Sequence, residues 1–218
     1  MVMTAHLTEL EAVNEILRSI GETPVQGLSS GQHDAEQAAE VLHQVSRRIQ
    51  AQGWFCNTRR GVVLTKNSSD QFPLGVNVLK VDTVDPPMRR SDAGDQTYSK
   101  RYNVVMRREA AGSKFILYDL TNNSETWTTP TTLTVDLVEF LPFDDLTPLL
   151  QTYIHFAAGH RFQKVSVSSQ VLWEFTKEDV EEAQMMAVQE DADNEDASAH
   201  QYGAVAEVSR RNNPLYGS

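Results

Sequence analysis

The stretch LPFDDLTPLLQTYIHFAAGHRFQKV, residues 141–165, decides which fold this chain adopts. Asp145 or Thr147 opens a helix here, and Pro148 is tolerated in the first turn, where its missing N–H has no helical partner to lose. Leu150, Ile154, Ala158, Phe162 and Val165 form one apolar stripe. Leu149, Tyr153 and Phe156 form a second, nearly opposite it. A helix apolar on two sides needs two partners, and these are either two neighbours in a bundle or one inside the subunit and one outside it. Ala157-Ala158-Gly159 allows a neighbouring backbone to approach closely.

On the N-terminal side of this helix the pattern is different. From Gly61 to Leu141 the chain is rich in Val, Thr, Tyr and Phe and is cut by turn residues. Strands are predicted at Gly61–Thr65, Val76–Val84, Tyr102–Met106, Ser113–Leu120 and Leu133–Phe140. Asp85-Pro86-Pro87, Asp92-Ala93-Gly94-Asp95 and Thr121-Asn122-Asn123-Ser124 read as loops and turns between them.

Further back the chain is helical again. Thr8-Glu9-Leu10-Glu11 is a capping box, in which the Thr8 hydroxyl takes the Glu11 N–H and the Glu11 carboxylate reaches back. Leu10, Val13, Ile16, Leu17 and Ile20 follow at helical spacing, ended by Gly21 and Pro24. A second helix starts at Asp34, carries Ala38, Val41, Leu42, Val45 and Ile49, and stops at Gly53.

Beyond residue 165 a fourth helix begins near Ser168 or Ser169 with Leu172, Trp173 and Phe175, and Thr176-Lys-Glu-Asp offers it a fresh N-cap. The sequence then turns acidic, and little remains to bury after Met186. An extended tail is expected there. The predicted fold is α+β: a bundle of about four helices from residues 1–58 and 142–190, an inserted antiparallel β domain at 59–141, and an extended tail at 191–218.

Composition narrows the function. With 218 residues and 40% apolar content a core can form. The formal net charge is −11, opposite to what phosphate neutralisation demands of a DNA-gripping protein. An acidic surface is compatible with letting DNA pass. Cys56 is the only cysteine, so no intrachain disulfide forms and assembly in a reducing cytoplasm is expected. The first residues lack the basic and apolar regions of a signal peptide, and no stretch reaches the roughly 20 apolar residues of a membrane span. A chain neither exported by that route nor anchored in a membrane is expected.

The chemical motifs do not hold together. Gly27-Leu28-Ser29-Ser30-Gly31 matches a G-x-S-x-G nucleophile pattern but follows a helix, not the strand such an elbow needs. His155 and His160 are five apart, which places them far round the helix from one another and off any shared metal. Asp191-x-Asp193-x-Glu195 begins like a calcium loop, yet Asp196 stands where glycine is required and Tyr202 where the bidentate glutamate belongs. Asp119, Glu125, Asp144 and Asp145 are acids of the kind a glycan hydrolase needs, but they read more simply as turn and cap residues. Arg89, Arg90, Lys100, Arg101, Arg107 and Arg108 cluster in the β region and offer a face to DNA, to an acidic neighbour or to solvent. No catalytic residue, metal or cofactor is expected.

Four segments in order, LTELEAVNEILRSIGETPV, GWFCNT, FPLGVNVLKVD and LPFDDLTPLLQTYIHFAAGHRFQKV, resemble the tail tubular protein A family. These are the head-to-tail adaptor, or gatekeeper, proteins of podoviruses, and the resemblance runs over roughly residues 7–190. It implies a virion protein of the phage tail, assembled in the host cytoplasm as a dodecameric ring. The portal protein lies above such a ring and the nozzle, tail tubular protein B, below it. Tail fibre proteins attach nearby, and genomic DNA passes through the ring during ejection. The family's C-terminal segment reaches the portal. Carried over by position, that implies portal docking by Arg210, Arg211, Asn213, Pro214, Leu215 and Tyr216. Leu149, Tyr153, Phe156 and His160 are the expected inter-subunit residues. The rival expectations are a tail-associated glycan hydrolase and a DNA-binding module.

Overall fold

The computed structural model describes residues 6–29, 31–83, 102–109, 114–166 and 170–201. The chain divides into a helical unit, Met1–Ile49 with Pro142–Ser218, and a β unit, Gln50–Leu141. The α+β architecture follows the sequence pattern, with four α-helices and two small antiparallel sheets among the described residues.

In the helical unit, α1 spans Glu9–Ser19 and α2 His33–Gln50 by its hydrogen bonds, its last residue already belonging to the β unit. α3 spans Pro148–Ser166 and α4 Gln170–Gln201. The capping box on α1 forms as its sequence requires: Glu11 N–H donates to Thr8 Oγ1 at 3.3 Å and Thr8 N–H to Glu11 Oε2 at 3.0 Å. Ala12, Val13, Ile16 and Leu17 are buried. The helix ends in a Schellman turn, Gly21 N–H to Arg18 O and Glu22 N–H to Leu17 O, both at 3.0 Å. Gly21 sits at φ +86°, a conformation that side chains with a Cβ resist. On α2 the stripe Ala35, Ala38, Leu42, Val45 and Ile49 is buried.

α3 packs against both α1 and α4, which its sequence demands, since the helix is apolar round most of its circumference. Leu150, Ile154, Ala158 and Phe162 are buried. A polar row four residues apart, Gln151, His155 and Gln163, is buried beside them, and Gly159 in the same row faces Ile16 of α1. Gln151 receives Leu7 N–H at 3.0 Å and donates to Phe143 O at 2.9 Å. Asp144 caps the start of α1 by accepting Glu9 N–H at 2.8 Å.

α4 corrects the sequence reading twice. It runs unbroken through Thr176, and it stays helical to Gln201 where an extended tail from residue 191 is expected. Three physical causes act together. Ala183 and Ala187 bury four residues apart, Glu190 accepts Thr147 Oγ1–H at 2.8 Å, and Gln189 donates to Asp193 one turn on at 2.9 Å. Alanine-rich helix also has high intrinsic propensity.

In the β unit, β1 (Thr58–Thr65), β6 (Thr132–Glu139) and β3 (Val78–Thr83) form one sheet in the order β1-β6-β3. β2 (Pro73–Leu74), β5 (Phe115–Asp119) and β4 (Val104–Arg108) form the other in the order β2-β5-β4. All pairings are antiparallel. β2 is absent from the sequence reading, and β3 starts at Val78, not Val76, because Val78 N–H turns back to Gly75 O at 3.2 Å. Phe72, Leu74, Val78, Leu117, Trp127, Leu133, Val135 and Leu137 fill the core. The Trp127 ring meets Phe72 and Tyr102 edge-on at 5.4 Å, and its indole N–H is satisfied by Leu117 O at 3.2 Å.

The two ends of the β unit are fastened to each other. The fully buried Gln50 amide donates to Leu141 O at 3.0 Å and accepts Leu141 N–H at 2.8 Å. Asn57 adds bonds to Gln50 O and Glu139 O at 3.0 and 2.9 Å. Replacing Gln50 by Ala leaves two backbone groups of the half-buried Leu141 without these partners. A loss of about 2–3 kcal/mol is expected, read as a lower urea midpoint for the β unit with an unchanged slope.

Candidate interaction surface

The described residues form no cluster of three or more His, Cys, Asp or Glu placed to hold a metal. None of their helices is long and apolar enough to cross a membrane. Two of the acids the sequence singled out, Asp119 and Asp144, are committed to the fold. Asp119 is buried and caps its own turn, accepting from Thr121 N, Asn122 N and Asn122 Nδ2 at 2.7, 3.2 and 2.6 Å. Asp144 caps α1, as above. Gly27, Leu28, Ser29 and Gly31 lie in the loop between α1 and α2, not at a strand-to-helix elbow. Asp191 and Asp193 lie on helix α4, where no calcium loop can form.

The helical unit leaves a few large apolar side chains uncovered. On α3 the expected contact stripe divides by exposure: Tyr153 is buried, Leu149 and His160 are half-buried, and Phe156 stands 38% exposed. Burial raises the Tyr153 hydroxyl pKa above its ordinary value, with Arg48 pulling the other way. The Phe156 ring lies 5.1 Å from the His155 ring, tilted 38°. On α4, Ala183 and Ala187 point inward while Met185, Met186 and Val188 are 67%, 48% and 51% exposed. Sequence reading missed this second patch. The signal present was the three-residue step from Met185 to Val188, which on a continuous helix lies opposite the buried alanines.

The patch is ringed by acid. Glu178, Asp179, Glu181 and Glu182 are exposed on the same helix, so the apolar side chains sit in a negative surround. Of the basic cluster in the β region, Arg107 and Arg108 are described and both are exposed. Arg89, Arg90, Lys100 and Arg101 lie outside the described residues, as do Arg210, Arg211, Asn213, Pro214, Leu215 and Tyr216.

Two histidines tie α1 to its neighbours through carboxylates. His43 of α2 meets Glu9 at 2.7 Å, and the buried His155 of α3 meets Glu15 at 3.3 Å. Burial holds the His155 pKa below its ordinary 6.5, with Glu15 pulling upward against it. The folded state therefore binds this proton less readily than the unfolded chain, and the stability tied to neutral His155 is lost as pH falls below about 6.5. The melting temperature of the wild type should drop from pH 7.5 to pH 5.5, and His155→Gln should flatten that drop.

Among known families, the one described as tail tubular protein has a sequence model that matches residues 10–197 of this chain. Comparison with curated proteins gives no match.

Proposed function

The chain belongs to the tail tubular protein family, a structural protein of the bacteriophage tail, and we propose that it is one subunit of a closed head-to-tail adaptor ring. In this reading twelve copies join the portal protein above to the nozzle below, with tail fibre proteins at the lower junction. Genomic DNA leaves through the bore. The role is structural, with no reaction catalysed.

The observation that carries the proposal is the uncovered apolar surface of the helical unit: Phe156 on α3 and Met185, Met186 and Val188 on α4. A ring needs a heterologous contact, in which one face of a subunit meets a different face of the next. Phe156 is the centre of one such face, with Leu149, Tyr153 and His160 of the same helix shaping its surround. Charge suits the bore. Twelve copies at −11 each give a strongly negative assembly that does not hold DNA phosphates by attraction. Portal docking is assigned to Arg210, Arg211, Asn213, Pro214, Leu215 and Tyr216.

Sedimentation of the purified protein over rising concentration, with micrographs of the fast species, tests the ring. Phe156→Asp should weaken assembly on the order of tenfold or more, the scale of one lost buried aromatic contact, while the protomer's thermal melt stays unchanged. A wild-type chain that remains monomeric at high concentration, alone and with portal and nozzle proteins, rejects the proposal. Truncation after Gln201 keeps every described element and should leave a folded ring former that no longer co-sediments with portal rings.

A further inference from the structure

The β unit carries a cation that no carboxylate among the described residues answers. Arg107 lies on β4 with its guanidinium carbon 3.7 Å from the centre of the Tyr118 ring on β5. The two are diagonal neighbours, since Arg107 is registered opposite Ile116 and Tyr118 opposite Val105. The Tyr118 hydroxyl donates to Asn123 Oδ1 at 3.2 Å, which holds the ring from its far end. Arg107 is exposed, and among the described residues no carboxylate lies within ion-pair distance of it. Arg108, next along the strand, points to the opposite face, 5.7 Å from the centre of the Phe115 ring. An arginine laid flat on an aromatic ring has already lost much of its side-chain freedom and keeps its N–H fork free for a carboxylate.

α4 presents the complement. Glu178 and Glu182 stand one turn apart and exposed, and no cation among the described residues pairs with either. Glu181 alongside is bound to Lys177 at 3.3 Å. On a regular helix Glu178, Glu182 and Met185 share the side opposite Ala183 and Ala187, so acid and exposed apolar surface lie together. The Arg107 face is mixed in the same way, with Val105 and Tyr118 half-buried beside the arginine.

We propose that Arg107, stacked on Tyr118, anchors the Glu178–Glu182–Met185 face of α4 from a second copy of this chain. The inference rests on the ring reading and deepens it by naming one of the contacts. A second copy is favoured because both halves are on one chain, on different units, each without an ion-pair partner among the described residues; that suits a heterologous self-contact. Tyr and Arg are also the side chains that most often dominate interface energetics. Duplex DNA fits less well, because phosphate binding leaves the acidic α4 face unexplained and the chain carries a net charge of −11.

Charge exchange on the full chain tests it by sedimentation and micrographs. Arg107→Glu should reduce the ring population at fixed concentration at least tenfold, as should Glu178→Arg with Glu182→Arg. All three substitutions together should recover assembly to within about threefold of wild type. In a Cys56→Ser background, Arg107→Cys with Glu182→Cys should give disulfide-linked dimers and higher ladders on oxidation. Wild-type rings with undisturbed Arg107→Glu rings, or monomers only after oxidation, overturn this contact and leave the ring standing. A wild type that forms no ring overturns both.

Discussion

Helix α3 has to be covered from more than one direction, and most of the helical unit follows from that. Leu150, Ile154, Ala158 and Phe162 bury one side of it, Gln151, His155 and Gln163 are buried beside them, and Tyr153 is buried as well. α1 and α4 therefore pack on it, with Ile16 of α1 beside Gly159. The same helix carries Phe156 outward. One element thus supplies both the centre of the protomer and an uncovered aromatic surface, for the same reason: it has more apolar circumference than its own chain covers.

The buried polar residues Gln151 and His155 give that packing a register. Pure apolar contact between helices is forgiving of a slip by one turn, whereas Gln151 must meet Leu7 N–H and Phe143 O together. His155 facing Glu15 adds a second fixed point. Such contacts contribute modestly to stability but penalise every alternative alignment, because a misaligned amide or imidazole is left dry and unpaired. Gln50 does the corresponding work in the β unit by fastening Leu141 at two points. A β insertion whose entry and exit are joined in this way closes on itself.

Charge is distributed unevenly over this acidic protein. Acid accumulates on α4 around exposed methionines, while Arg107 is held on an aromatic ring in the β unit. A structural protein of the phage tail works by contact, and the proposed ring would use the uncovered apolar surface and Arg107. Asp119 and Asp144, which a composition-level reading offers to hydrolysis, are spent on a turn and a helix cap.

The sequence by itself determined the local elements wherever side-chain period or capping chemistry speaks plainly. The Thr8–Glu11 box, the stop at Gly21, the stripes of α1 to α3 and five of the strands are legible because helix and strand repeat at different periods. Strand β2 was not, since the two residues Pro73 and Leu74 have no period and are strand only by pairing with Ile116 and Phe115. Nor was the length of α4, whose acidic run looks unable to bury anything until Ala183 and Ala187 meet α3 and Thr147 holds Glu190. Tertiary structure alone decided which apolar residues stay outside: Tyr153 and Phe156 are alike in sequence pattern, and only packing buries one and exposes the other. Periodicity names the face of a helix; coverage of that face depends on partners distant in the chain.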